Sequence, residues 1–155
     1  EKEYMSEDLY SLLKLYRYIK KVVVLNDPLY CYRHGHESLS SSSRLMNYPL
    51  IRKFYNQCVS ICEENHYNEK VLNNIGQPYL SFTITCLKLK ARQKKSITLI
   101  KKELNEILND AQLHEVLSKR NLKSEKKTKQ ILYKTILNRQ FFISRLLIYL
   151  QAWKG

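Results

Sequence analysis

The chain has 155 residues, a net charge of +13, 44% hydrophobic residues, and only three Gly and three Pro. That length is enough for a real core and for one domain, or one domain plus a piece of another; the composition excludes a disordered chain and points to a mostly helical one. The longest uncharged run, residues 71–87, holds two Asn, a Gln, a Pro and a Gly, and the apolar run 146–153 is too short, so neither reads as a membrane span.

The charge is unevenly placed. Residues 1–49 carry seven Lys/Arg against six Asp/Glu, whereas residues 50–155 carry 20 against eight. A basic surface favours anionic lipid, nucleic acid or an acidic partner, or serves only as a solvated helix face. The cysteines at 31, 58, 62 and 86 show no close disulfide pattern and read as reduced thiols in a cytosolic setting. The chain opens on Glu1 with no signal-like segment, and so reads as an excised piece.

Ser6 is a good N-cap, and Glu7 and Asp8 follow in a first turn where the helix dipole favours negative charge. Leu9, Leu12, Leu13, Tyr16 and Ile19 carry the helical spacing, which predicts a helix to about Ile19. Val22-Val23-Val24-Leu25 predicts a short strand buried on both faces. Asn26-Asp27-Pro28 is a turn, and Leu29 to Arg33 a second strand. The Ser-rich segment 38–43 is a loop and the one domain boundary.

Beyond it the pattern is helical. Pro49 suits a first turn, and Leu50, Ile51, Phe54, Tyr55, Cys58, Ile61 and Cys62 form an apolar stripe. A helix over about 69–93 is expected to kink or split at Gly76 and Pro78. Ile97, Ile100, Leu104, Ile107 and Ala111 mark another, ending near Asn121, and the Lys-rich segment 123–129 is a connection. Leu132, Ile136, Ile143, Leu147 and Leu150 stripe one last helix.

Four constellations carry possible chemistry. Glu7-Asp8 reads as ordinary helix-start carboxylates, or as a pair in which one acts as general base. His34-Gly35-His36 reads as an exposed loop, or as imidazoles for a metal or phosphate. Cys58, Cys62 and His66 stand at zinc-compatible spacing, but both cysteines lie on the apolar stripe and read as core. The run Lys88, Lys90, Arg92, Lys94, Lys95 has no interleaved aromatics, whereas Arg139, Arg145 and Lys154 mix with Phe141, Phe142, Tyr149 and Trp153, which suits a membrane surface better than nucleic acid.

Glu-Asp opening a helix, then Lys-Lys-Val-Val-Val-Leu-Asn-Asp-Pro-Leu-Tyr-Cys-Tyr-Arg, then a loop ending Glu-Ser-Leu-Ser, resembles the last part of the catalytic domain of bacterial family 2 glycosyltransferases. The resemblance covers about residues 4–43, and residues 44–155 are similar only to the variable helical extension after that domain. It implies a GT-A fold and inverting transfer from a nucleotide-sugar donor to a glycan or lipid-linked acceptor, in cell-surface polysaccharide synthesis. It also implies Asp8 as catalytic base, with Glu7 its acidic neighbour. Arg33, His34, His36, Ser38 and Ser40 then border the donor diphosphate, with His36 the candidate for metal contact. The frequent family form has a single His two residues after the Arg; here that position is Gly35, flanked by His34 and His36.

The fold expected is therefore mainly α: a short N-terminal helix plus a β-hairpin ending a GT-A domain over residues 1–44, then a bundle of about four helices over 45–155. The chain has no Asp-x-Asp, so a divalent Mg or Mn cofactor is expected in the parent enzyme and none in this fragment, which is expected to be inactive alone. Cytoplasmic location, peripheral at the inner face of a bacterial membrane, and pairing as a homodimer fit the basic helices. The rival reading is a basic all-helical interaction or nucleic-acid-binding module, and a third is a zinc-stabilised helical protein.

Overall fold

The computed structural model describes residues 7–28 and 47–153, apart from the side chain of Glu7. Among the described residues seven α-helices follow one another: α1 Glu7–Tyr16, α2 Tyr48–Glu64, α3 Glu69–Ala91, α4 Ile97–Leu108, α5 Ala111–Ser118, α6 Lys127–Leu137 and α7 Phe141–Trp153. A 3₁₀ turn, Leu122–Ser124, precedes α6. The mainly helical expectation holds, with six shorter helices after residue 47 where about four were expected.

Helix α3 is the axis of the bundle and packs against α2, α4, α5 and α7. Its buried positions lie on more than one face, among them Ile75, Tyr79, Leu80, Ile84, Cys86 and Leu87. This explains why it runs unbroken through Pro78 and does not split. An interior proline costs about 3 kcal/mol, but burial of the apolar side chains on either side offsets it, at about 1.5–3 kcal/mol each. Gly76 has a packing role: a Cβ there would meet Val116 Cγ1 at 3.0 Å, so its absence lets α5 lie close to α3.

Two expected long helices are each a pair. The segment from Ile97 breaks at Asn109–Asp110, because the Asp110 side chain accepts from the backbone amides of Gln112 (2.9 Å) and Leu113 (3.2 Å) and so caps α5. The last helix breaks at Asn138–Gln140. Arg139 takes φ 54°, its amide bonds the Ile136 carbonyl, and the Gln140 amide bonds the Thr135 carbonyl. This is a Schellman closure with arginine where glycine is usual. Helix α2 ends the same way at His66, φ 53°.

The β-hairpin is a correction. Val22 to Leu25 forms no strand and is 72, 67, 84 and 59% exposed, so the expected burial on both faces is absent. A four-residue apolar run becomes a strand only by pairing into a sheet, and the elements described around it are all helices. The second expected strand, Leu29 to Arg33, falls outside the described residues, as do the Ser-rich loop and the expected boundary at 44/45.

Candidate functional site

Of the residues expected to carry chemistry, Asp8 lies in the first turn of α1 and is exposed. Glu7 begins that helix, and nothing is described of its side chain. Arg33, His34, His36, Ser38 and Ser40 lie outside the described residues.

Helix α1 is held to the C-terminal end of α2. Leu13 is buried in the common core, and the Tyr67 hydroxyl donates to the Leu13 carbonyl at 2.9 Å. Arg17 Nη1 donates to Asn65 Oδ1 at 3.0 Å, and the Tyr16 and Tyr67 rings meet edge-on. The opposite side of α1 carries Asp8, Leu12 and Leu15, spaced four and three residues apart and exposed. The candidate base thus shares its face with two exposed leucines, and the exposed run Val22 to Leu25 follows close behind in sequence.

A second constellation was not foreseen. The Tyr48 and Tyr79 hydroxyls meet at 2.9 Å where α2 packs on α3. Arg52 Nη1 pairs with Asp110 Oδ2 at 3.2 Å, its Nε donates to Gln112 Oε1, and Gln112 Nε2 donates to Asn56 Oδ1. Beside this network an open groove of about 600 Å³ runs along α2, lined by Tyr48, Arg52, Lys53, Asn56, Gln57 and Ser60. Asn109-Asp110 before an apolar run was the sequence signal that could have located the cap at its centre.

The chemistry of the buried groups is quiet. Burial, then the hydrogen bond with Tyr79 and the nearby Asp110 carboxylate, raises the Tyr48 phenol above its ordinary value. Burial pushes Tyr79 up to about 12. The Cys58 thiol is pushed up to about 12 and Cys86 to about 11, again mainly by burial. These groups stay protonated at neutral pH and serve as packing and hydrogen-bonding groups, not as bases or nucleophiles.

Cys58 and Cys62 are fully buried on α2, as their place on the apolar stripe suggested. His66 lies beyond the end of that helix and is exposed, so the three do not share one helix face. Among the described residues there is no group of three or more His, Cys, Asp or Glu placed to hold a metal ion. Within the basic run, Lys90 and Lys95 both pair with Glu103, at 2.7 and 2.9 Å, and hold its carboxyl below the ordinary value. Arg92 donates to the Ala152 carbonyl at the end of α7. Much of that run is therefore committed within the bundle.

Comparison of the chain with protein-family models, curated proteins and solved structures finds no match. Among the described residues, no helix is long and apolar enough to cross a membrane.

Proposed function

We propose that residues 1–44 are the base-bearing end of the catalytic domain of an inverting glycosyltransferase, and that residues 45–155 are its helical extension. Two observations carry this reading: Asp8 stands on the exposed face of α1 with Leu12 and Leu15, and the exposed apolar run Val22 to Leu25 follows that helix in sequence. A β-branched run that finds no sheet among these helices suits a sheet supplied by a preceding catalytic domain. The resemblance over residues 4–43 is independent support, since it rests on residue order and not on packing.

In this reading Asp8 removes the proton from the acceptor hydroxyl as the sugar is transferred, with Glu7 beside it. Arg33, His34, His36, Ser38 and Ser40 face the leaving diphosphate of the nucleotide-sugar donor, where positive charge stabilises the charge that develops. A divalent metal, Mg or Mn, is held by the donor-binding half of the longer protein. The acceptor is a glycan or a lipid-linked sugar of the cell surface.

The test uses the longer protein. Asp8→Asn should lower kcat at least about 100-fold while leaving nucleotide-sugar affinity nearly unchanged, since loss of a general base costs 10²–10⁴-fold. The 155-residue chain alone should transfer no sugar. Turnover by that chain, or an Asp8→Asn enzyme of normal kcat, overturns the reading.

A further inference from the structure

Helix α7 is turned inside out on its solvent side. Ser144, Ile148 and Ala152, four residues apart, face the bundle and are buried. The opposite face presents Phe142, Leu146, Leu150 and Trp153, with Phe142 73% and Trp153 81% exposed and Ile143 beside them. The one charged residue of α7, Arg145, sits at the flank and donates to Asn105 Oδ1 of α4. The solvent face of this helix therefore has no charge of its own.

Of the two helices beside that face, α6 carries only positive charge, whereas α4 balances Lys101 and Lys102 with Glu103 and Glu106. The Arg145–Asn105 and Arg139–Asn109 hydrogen bonds show that α4 runs antiparallel along one flank. On the other flank α6 is joined to α7 by the buried Ser144–Thr135 hydroxyl pair at 3.0 Å. Ile131, one turn before Thr135, is exposed as well. Lys127 and Lys134 are exposed on α6, and Arg139 stands at the start of α7. From residue 126 to residue 155 there are seven Lys/Arg and no Asp or Glu.

We propose that this face of α7 docks on the surface of an anionic lipid bilayer. Phe142, Leu146, Leu150 and Trp153 enter the headgroup–acyl boundary, while Lys127, Lys134 and Arg139 meet lipid phosphates. Charge selects lipid over a second copy of the chain: it is of one sign across α6 and α7, so two such faces repel, whereas an anionic surface attracts. A 13-residue helix is too short to cross a bilayer, and its exposed Phe and Trp side chains suit the headgroup level of one. This inference rests on α6 and α7 alone and is independent of the sugar-transfer reading.

Trp153 is the only tryptophan, so its fluorescence reports the contact directly. The chain is titrated with vesicles of phosphatidylcholine alone and of phosphatidylcholine with 30% phosphatidylglycerol. Binding to the anionic vesicles should be at least about tenfold tighter, with a blue shift of emission, and should weaken about tenfold in 0.5 M NaCl. Leu146→Gln with Leu150→Gln, both at exposed positions, should abolish the blue shift with the helical circular dichroism unchanged. Lys127→Gln with Lys134→Gln should weaken binding but leave the shift at saturation. Equal binding to both vesicle types, no blue shift, or full binding by the Leu146/Leu150 variant overturns the proposal. So does a concentration-dependent dimer that shifts Trp153 without vesicles, which would assign the face to a second copy.

Discussion

The hydroxyls of Tyr48, at the start of α2, and Tyr79, in the middle of α3, lie 2.9 Å apart in the core. Each hydroxyl gives the other a hydrogen-bond partner inside the core. Both phenols are raised, Tyr79 to about 12 and Tyr48 beyond its ordinary value, with burial the leading cause in each.

That pair makes folding stability sensitive to alkali. A group whose folded pKa exceeds its unfolded value contributes in full below the unfolded value, and the contribution fades as pH rises towards the folded one. The unfolded phenols ionise near pH 10 and the native ones do not, so the urea midpoint should fall steadily between pH 10 and 12. Each group contributes a slope approaching about 1.4 kcal/mol per pH unit. Tyr48→Phe with Tyr79→Phe should reduce that slope, the remainder coming from the buried Cys58 and Cys86 thiols, which are raised too; an unchanged slope would assign the alkaline loss to other groups.

Cys58, Cys62 and Cys86 are fully buried, and burial raises all three thiols. Only the thiolate reacts. With excess thiol reagent at pH 8, three of the four cysteines should therefore react slowly in the native protein and at once in urea. Rapid native labelling of Cys58 or Cys86, located by mass spectrometry, would show that the α2–α3 seam opens readily.

His66 holds a left-handed backbone at the end of α2 while its side chain is exposed. A non-glycine residue there costs roughly 1–2 kcal/mol, partly recovered because glycine loses more entropy on folding. His66→Gly should raise stability by about 0.5–1 kcal/mol, read as a higher urea midpoint with the same m-value.

Asp110 caps α5 and pairs with Arg52. Asp110→Ala removes both and should cost about 1–2 kcal/mol, whereas Asp110→Asn keeps a capping oxygen and should cost less. Thermal unfolding of the two variants separates the cap from the charge; equal losses would mean that the ion pair with Arg52 dominates.

Helix α2 was legible because its stripe, Ile51, Phe54, Cys58, Ile61 and Cys62, repeats with the helical period and is buried along its length. Pro49 was legible at its first turn for the same local reason. The breaks at Asn109 and Asn138 were not, because the apolar rhythm continues across them and only capping geometry interrupts the helix. Among the candidate site residues, the sequence pattern rightly placed Asp8 in a helix's first turn, but which way that face points depends on how α1 packs.

Periodicity and composition alone determined that this is a helical, strongly basic chain with Cys58 and Cys62 in the core, since burial of apolar side chains follows from their spacing. Only the tertiary structure decided what each surface is left to do. Packing turned Leu13 inward and Asp8 outward, left Val22 to Leu25 without a sheet, and joined Tyr48 to Tyr79 across 31 residues. It also set α7 so that its small residues meet the bundle and its large apolar ones meet solvent. Those outcomes depend on which helices are neighbours, and the local periodicity of a chain does not specify its neighbours.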